Sequence, residues 1–103
     1  MLRHYTTQDA ADAIAKDGTI NPGVNSGKIW VTPDEYADGF EAQARLALNK
    51  TPEGYFEFPA SRVLEPSPPS IVEPYYGQPG GGTEVTTENP IDVGDLSFIL
   101  FGE

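Results

Sequence analysis

Cysteine is absent from this chain and histidine occurs once. Without cysteine there is neither a disulfide framework nor a thiolate zinc site, and one histidine leaves a transition-metal centre short of ligands. Carboxylate-bound calcium or magnesium stays open, although no stretch has the calcium-loop pattern. Basic residues are also scarce: six Lys and Arg against sixteen Asp and Glu give a formal net charge of -10. That charge repels phosphate backbones and anionic membrane surfaces, so neither nucleic acid nor membrane is an expected partner. No apolar run approaches the about 20 residues of a spanning helix. Met1 to Tyr5 leads into a polar amphipathic segment and not a signal-peptide pattern. A soluble domain is expected, and its abrupt entry into structured sequence suggests a piece of a larger protein.

Glycine and proline are plentiful, 11 and 10 of 103 residues, so loops should be abundant. The length suits one domain, residues 1–103, with a modest core, and is too short for a doubly wound sheet with a cofactor domain. There is no internal repeat.

Leu2 to Tyr5 reads as a strand, followed by Thr6 as a helix N-cap with Asp9 three residues on. Ala10, Ala13 and Ile14 form that helix's apolar stripe, and Gly18 ends it. Lys28 to Thr32 is a second strand. Thr32-Pro33-Asp34-Glu35 has the form of a helix start, with Tyr36, Phe40, Ala44 and Leu48 following at steps of four and an end near Asn49. Tyr55 to Phe58 alternates as a strand, and Val63-Leu64 continues it beyond a kink. Residues 65–82 carry too much proline and glycine for regular structure and read as a long loop anchored by Ile71 and Val72. Thr83 to Thr87 and Leu96 to Phe101 supply two late strands, the second apolar enough to be buried on both faces. The expected fold class is a small α+β domain with two helices.

The stretch GQPGGGTE is costly, because three consecutive glycines lose more backbone freedom on folding than other residues would. In the strand that follows, Val85 shares a face with Thr83 and Thr87, so Glu84 points away from the core if Val85 faces it. A flexible turn presenting one acid suits a catalytic carboxylate, and it equally suits a solvated loop. Glu88, Asp92, Asp95 and Glu103 are competing acids that read as surface charges.

Leu2-Arg3-His4-Tyr5-Thr6, the helix ending in DGTI, GKIWVT with its following helix, YFEFPAS and GQPGGGTE occur in an order that resembles the ADP-ribosyltransferase toxin domains of bacterial polymorphic, Rhs-type toxins. The likeness covers nearly the whole chain and is to the His-Tyr-Glu group. It implies two short β-sheets around a cleft that takes NAD as substrate. On that resemblance Glu84 matches the late catalytic glutamate. His4, with Tyr5 and Thr6 beside it, matches the first-strand group that holds the adenosine ribose and nicotinamide. Trp30 stands where the middle strand usually has tyrosine, and Tyr36 and Phe40 are candidates to stack on the nicotinamide ring. His4 also reads as a histidine satisfied inside a packed strand, and Phe40 as a core-facing helical residue.

The resemblance implies a mono-ADP-ribosyltransferase effector, secreted within a larger toxin, delivered to a target-cell cytoplasm in interbacterial competition, and neutralised in its producer by a cognate immunity protein. A monomer is expected. Arginine-modifying members commonly carry a second glutamate two positions before the catalytic one, and here that position is Gly82, which disfavours an arginine acceptor. One branch acts on the elongation factor EF-Tu, which makes EF-Tu the target to test first, with Tyr75, Tyr76 and Gln78 as its contact surface. Two other readings stay open: an NAD glycohydrolase toxin using the same cleft, and a non-enzymatic acidic immunity or binding module.

Overall fold

The computed structural model describes residues 1–102; Glu103, read above as a surface charge, lies outside them. In chain order the elements are β1 (Leu2–Thr6), α1 (Gln8–Asp17), β2 (Thr19–Ile20), β3 (Ile29–Val31), α2 (Gly39–Leu46) and β4 (Gly54–Phe58), followed by a 3-10 turn (Ala60–Arg62). Then come β5 (Ser70–Ile71), β6 (Thr83–Thr87), β7 (Ile91–Asp92) and β8 (Ile99–Leu100). The result is an α+β domain with two helices and three small antiparallel sheets, ordered β1-β4-β8, β3-β6-β5 and β2-β7. The β2–β7 ribbon has no forerunner in the sequence pattern, because two-residue strands leave no periodicity to detect.

Alternation explains the two larger sheets. Leu2, Phe56 and Phe58 share one face of the β1–β4 pair, and Ile29, Val31, Val85 and Thr87 share one face of the β3–β6 pair. These faces meet in one core with Ile20, Ile91, Val93 and Val63, and Ala11 closes it from α1. Removing Phe56 or Phe58, both essentially inaccessible to solvent, would cost about 3 to 5 kcal/mol through lost burial and the cavity left behind.

The first helix begins one residue later than its cap pattern predicts. Thr6 stays in β1, opposite Gly54, and its carbonyl accepts the Glu53 N–H at 3.0 Å, so the chain is committed to the sheet there. Thr7 becomes the N-cap, its Oγ1 accepting from the Ala10 N–H, and Gly18 ends the helix at φ 77, returning its N–H to Ile14.

The second helix does not start at Thr32. Thr32 Oγ1 accepts the Asp34 N–H at 3.0 Å, which is the first step of a cap. The Tyr5 hydroxyl then takes the next backbone groups, donating to the Asp34 carbonyl at 3.1 Å and accepting the Tyr36 N–H at 2.9 Å. Those groups are therefore spent on a tertiary corner at residues 34–36. Asp38 caps the helix instead, accepting the Glu41 N–H at 2.8 Å, and the helix stops at Leu46 with Ala47 in the left-handed region. Of the expected stripe, Phe40 is 77% exposed, and the residues buried in α2 are Gly39 and Ala42. Gly39 is obligatory there, because a Cβ would run into the Pro52 carbonyl.

Three further expectations are corrected. Val63 and Leu64 do not extend β4, since the 3-10 turn intervenes and only Val63 is buried. Residues 96–101 are not a strand buried on both faces: only Ile99–Leu100 pairs, at the sheet edge against Gly54 and Tyr55, and both are half-buried. Within the long loop Val72 anchors as expected, whereas Ile71 is exposed and joins β5.

Candidate functional site

The site begins where two strands part. β1 and β3 are joined by a single bridge, in which Arg3 and Thr32 exchange N–H···O bonds of 2.8 and 2.9 Å. Residues two apart on a strand send their backbone groups to the same side, so Trp30, like Thr32, turns its carbonyl toward β1. By then β1 has diverged, and no backbone donor meets that carbonyl. His4 Nδ1 fills the gap at 2.9 Å. Because a carbonyl only accepts, Nδ1 carries the proton, and in the neutral ring Nε2 is left as an acceptor. Burial pushes the His4 pKa below its ordinary value, opposed by the bond to Trp30, so the neutral ring is the favoured form.

The divergence opens into a cleft of about 1040 Å³, bounded by β1, α1, β3 and the chain from Ser70 to Tyr76. The alternation that sends Ile29, Val31 and Val85 inward sends Trp30, Thr86 and Glu84 to the opposite face of the same sheet. Trp30 lies opposite Thr86, and Glu84 is its diagonal neighbour, within reach of a large aromatic side chain. Trp30 is 45% exposed, and His4, Trp30 and Glu84 all line this one cleft. Three groups from distant parts of the sequence therefore converge, with one acceptor nitrogen, one accessible indole and one carboxylate. Such a set can hold a planar ring and accept hydrogen bonds from sugar hydroxyls.

The other expected ligand residues are distributed differently. Thr6 lines the cleft. Tyr5 also borders the cleft, but its ring is 6% exposed and packs on Tyr36, Tyr55 and Phe101 on the face of β1 away from His4. Tyr36 and Phe40 are not among the cleft-lining residues. Tyr36 donates its hydroxyl to Asp34 Oδ2 at 2.8 Å, and burial together with that anionic partner raises its pKa well above the ordinary phenol range. The predicted helix carries both toward the cleft, but α2 begins later, at Gly39, and they leave the predicted face.

Several features of the cleft go beyond the sequence reading. Ala10, Ala13 and Ile14, the apolar stripe of α1, border the cleft, with Ile14 also packed against the core, and Ala11, outside that stripe, is the residue of α1 that is buried. Lys28 stands on the rim and makes no ion pair among the described residues. Arg3, also at the cleft, is occupied by Glu57 at 2.7 Å and by the Tyr55 ring at 4.0 Å. Tyr75 and Tyr76 stand at a tight turn on the opposite rim. The chain turns there through positive φ at Tyr76 (52°) and Gly77 (73°), the conformation of a two-residue hairpin of type I′.

The glycine run is tied down. Gly80 N–H reaches the Ala44 carbonyl at 2.9 Å and Gly82 N–H the Arg45 carbonyl at 2.9 Å, which caps the end of α2, while Gly81 N–H bonds the Val72 carbonyl at 2.9 Å. A Cβ on Gly80 would meet the Val72 carbonyl at 2.5 Å, and one on Gly82 would strike the Tyr36 hydroxyl. A larger residue at position 82, a second glutamate included, would have to displace the Tyr36 hydroxyl and crowd the Arg45 carbonyl. No family model, curated protein or solved structure matches this chain.

Proposed function

We propose that this domain is a mono-ADP-ribosyltransferase that binds NAD in the β1/β3 cleft and transfers ADP-ribose to a protein, with EF-Tu the first target to test. The observation that carries this reading is the convergence of His4, Trp30 and Glu84 on one cleft large enough for a dinucleotide. In it Trp30 is the platform for the nicotinamide ring, His4 Nε2 accepts from a ribose hydroxyl, and Lys28 answers the pyrophosphate charge.

In the reaction the bond between nicotinamide N1 and ribose C1′ breaks, both electrons going to the nitrogen, so that nicotinamide leaves neutral. Positive charge grows on the sugar, as in glycoside hydrolysis. The Glu84 carboxylate accepts from the 2′-hydroxyl and stabilises that charge, a contribution of about 3 to 4 kcal/mol for a preorganised group. The acceptor side chain then bonds to C1′ and releases its proton to solvent. Gly82 in place of a second carboxylate argues against arginine as that acceptor. Delivery within a larger toxin and inhibition by an immunity protein belong to the same reading.

Incubation with NAD labelled in the ADP-ribose portion, with and without target-cell extract, tests it. Label on protein is the expected result. Free ADP-ribose alone, in both samples, replaces transferase by glycohydrolase, and no turnover in either removes the enzymatic reading.

A further inference from the structure

We propose that Asp34 is the positioning residue for Glu84, an inference that rests on the catalytic reading of Glu84 but is testable apart from it. In the β3–β6 ladder, Ile29 with Thr87 and Val31 with Val85 are the pairs whose backbone groups face each other, since Trp30 and Thr32 face β1. The next such pair is Pro33 with Thr83. There the ladder stops, because Pro33 has no N–H and the chain turns into the 34–36 corner. The Thr83 N–H, which immediately precedes Glu84, is left without a strand partner. Asp34 Oδ2 accepts it at 2.7 Å, a short bond to a charged acceptor.

The carboxylate that does this is itself fixed from several sides. The same Oδ2 accepts the Tyr36 hydroxyl at 2.8 Å. Asp34's own carbonyl and the Tyr36 N–H are held by the buried Tyr5 hydroxyl, and Thr32 Oγ1 holds the Asp34 N–H. On the other edge of β6, Val72 N–H bonds the Gly82 carbonyl at 2.8 Å, and Ser70 lies opposite Glu84. Gly82 lacks the Cβ that would displace the Tyr36 hydroxyl from this arrangement. The backbone that presents Glu84 is therefore clamped between β5 and one aspartate, and Asp34 supplies the only side-chain bond to Thr83 among the described residues.

Catalytic groups lose rate steeply when their support loosens, about 100-fold for a displacement near 1 Å. Asp34→Ala is expected to lower kcat about 10- to 100-fold with KM for NAD within about threefold. Asp34→Asn keeps an oxygen for Thr83 and should recover most of the loss. Tyr36→Phe, which loosens Asp34 but leaves the Thr83 bond in place, should lower kcat less than Asp34→Ala does. Amide hydrogen exchange supplies a readout that needs no substrate. In Asp34→Ala the Thr83 and Glu84 amides should exchange at least about tenfold faster while those of Phe56 and Phe58 stay protected. Unchanged exchange at Thr83 overturns the proposal, and so does equal acceleration in the core. If Asp34→Ala does not fold, Asp34→Asn replaces it in the exchange measurement, with a smaller selective acceleration expected and none overturning the idea. If the unaltered protein shows no NAD turnover, the catalytic reading fails and exchange alone decides whether Asp34 holds Glu84.

Discussion

His4 Nδ1 meets the Trp30 carbonyl at 2.9 Å on the side of β3 from which β1 has turned away. A side chain thus completes a ladder that the backbone abandons, and the completed position borders the cleft. Nδ1 serves the fold, and on the proposed reading Nε2 serves binding, so one ring would join the two.

Replacing His4 separates the two duties. His4→Ala leaves the Trp30 carbonyl without a donor, which should cost about 1 to 3 kcal/mol of stability, and should weaken NAD binding more than it slows the bound complex. His4→Asn supplies an N–H near the Nδ1 position but nothing at Nε2. It should regain stability in chemical denaturation without regaining affinity in calorimetry; recovery of both would deny Nε2 a part in binding.

The same ring predicts a pH response. Burial lowers the His4 pKa from its ordinary 6.5, so below that pH the unfolded chain takes up a proton that the folded chain refuses. The stability contribution is complete above 6.5 and declines as pH falls through the window between the unfolded and folded values. Denaturant midpoints measured from about pH 8 to about pH 5 should fall on the acid side, and fall less in His4→Asn. Parallel profiles for the two proteins would exclude His4 as the source.

Glu84→Gln keeps the shape of the side chain and removes its charge. Transfer of ADP-ribose should drop by about 100-fold or more while NAD affinity stays within a few-fold, since the charge matters chiefly in the transition state. Full activity in this variant would take Glu84 out of the mechanism.

Two glycines at either end of one loop should respond differently to alanine. Gly77 has φ 73 and open space where a Cβ would lie, so Gly77→Ala should cost about 1 kcal/mol of backbone strain and no more. Gly80 has φ 70 and would also press its Cβ to 2.5 Å from the Val72 carbonyl. Gly80→Ala should cost about 2 to 4 kcal/mol, the strain plus the overpacking, and thermal unfolding of the pair would measure the gap. Equal midpoints would mean that the glycine run is looser than its hydrogen bonds imply.

What is legible in the sequence is what local chemistry decides. The patterns of Leu2 to Tyr5, Tyr55 to Phe58 and Thr83 to Thr87 mark three strands, each within a residue of its observed bounds, and put Glu84 off the core face, and Gly18 ends its helix as its type requires. The errors arise where a residue with a strong local signal is claimed from afar. Thr32-Pro33-Asp34 carries a cap signature, but Tyr5, 29 residues earlier in the chain, takes the Asp34 carbonyl. Asp38 and Glu41 hold the true signature, disguised by the glycine that Pro52 demands at position 39. With the helix start misplaced its phase is wrong as well, and Tyr36 and Phe40 fall on a face they do not occupy. His4, Trp30 and Glu84 need no phase, only strand parity, and all three reach the cleft.

The hairpin of Tyr75, Tyr76, Gly77 and Gln78 closes on itself through two backbone bonds, Tyr75 N–H to Gln78 at 3.2 Å and Gln78 N–H to Tyr75 at 2.8 Å. The bonds that tie residues 80–82 to α2 lie wholly downstream of it. Its tip can therefore be lengthened, shortened or rewritten over generations without shifting Glu84. On the proposed reading, a lineage of such domains would have a ready route to a new protein target while the backbone that presents Glu84 is inherited intact.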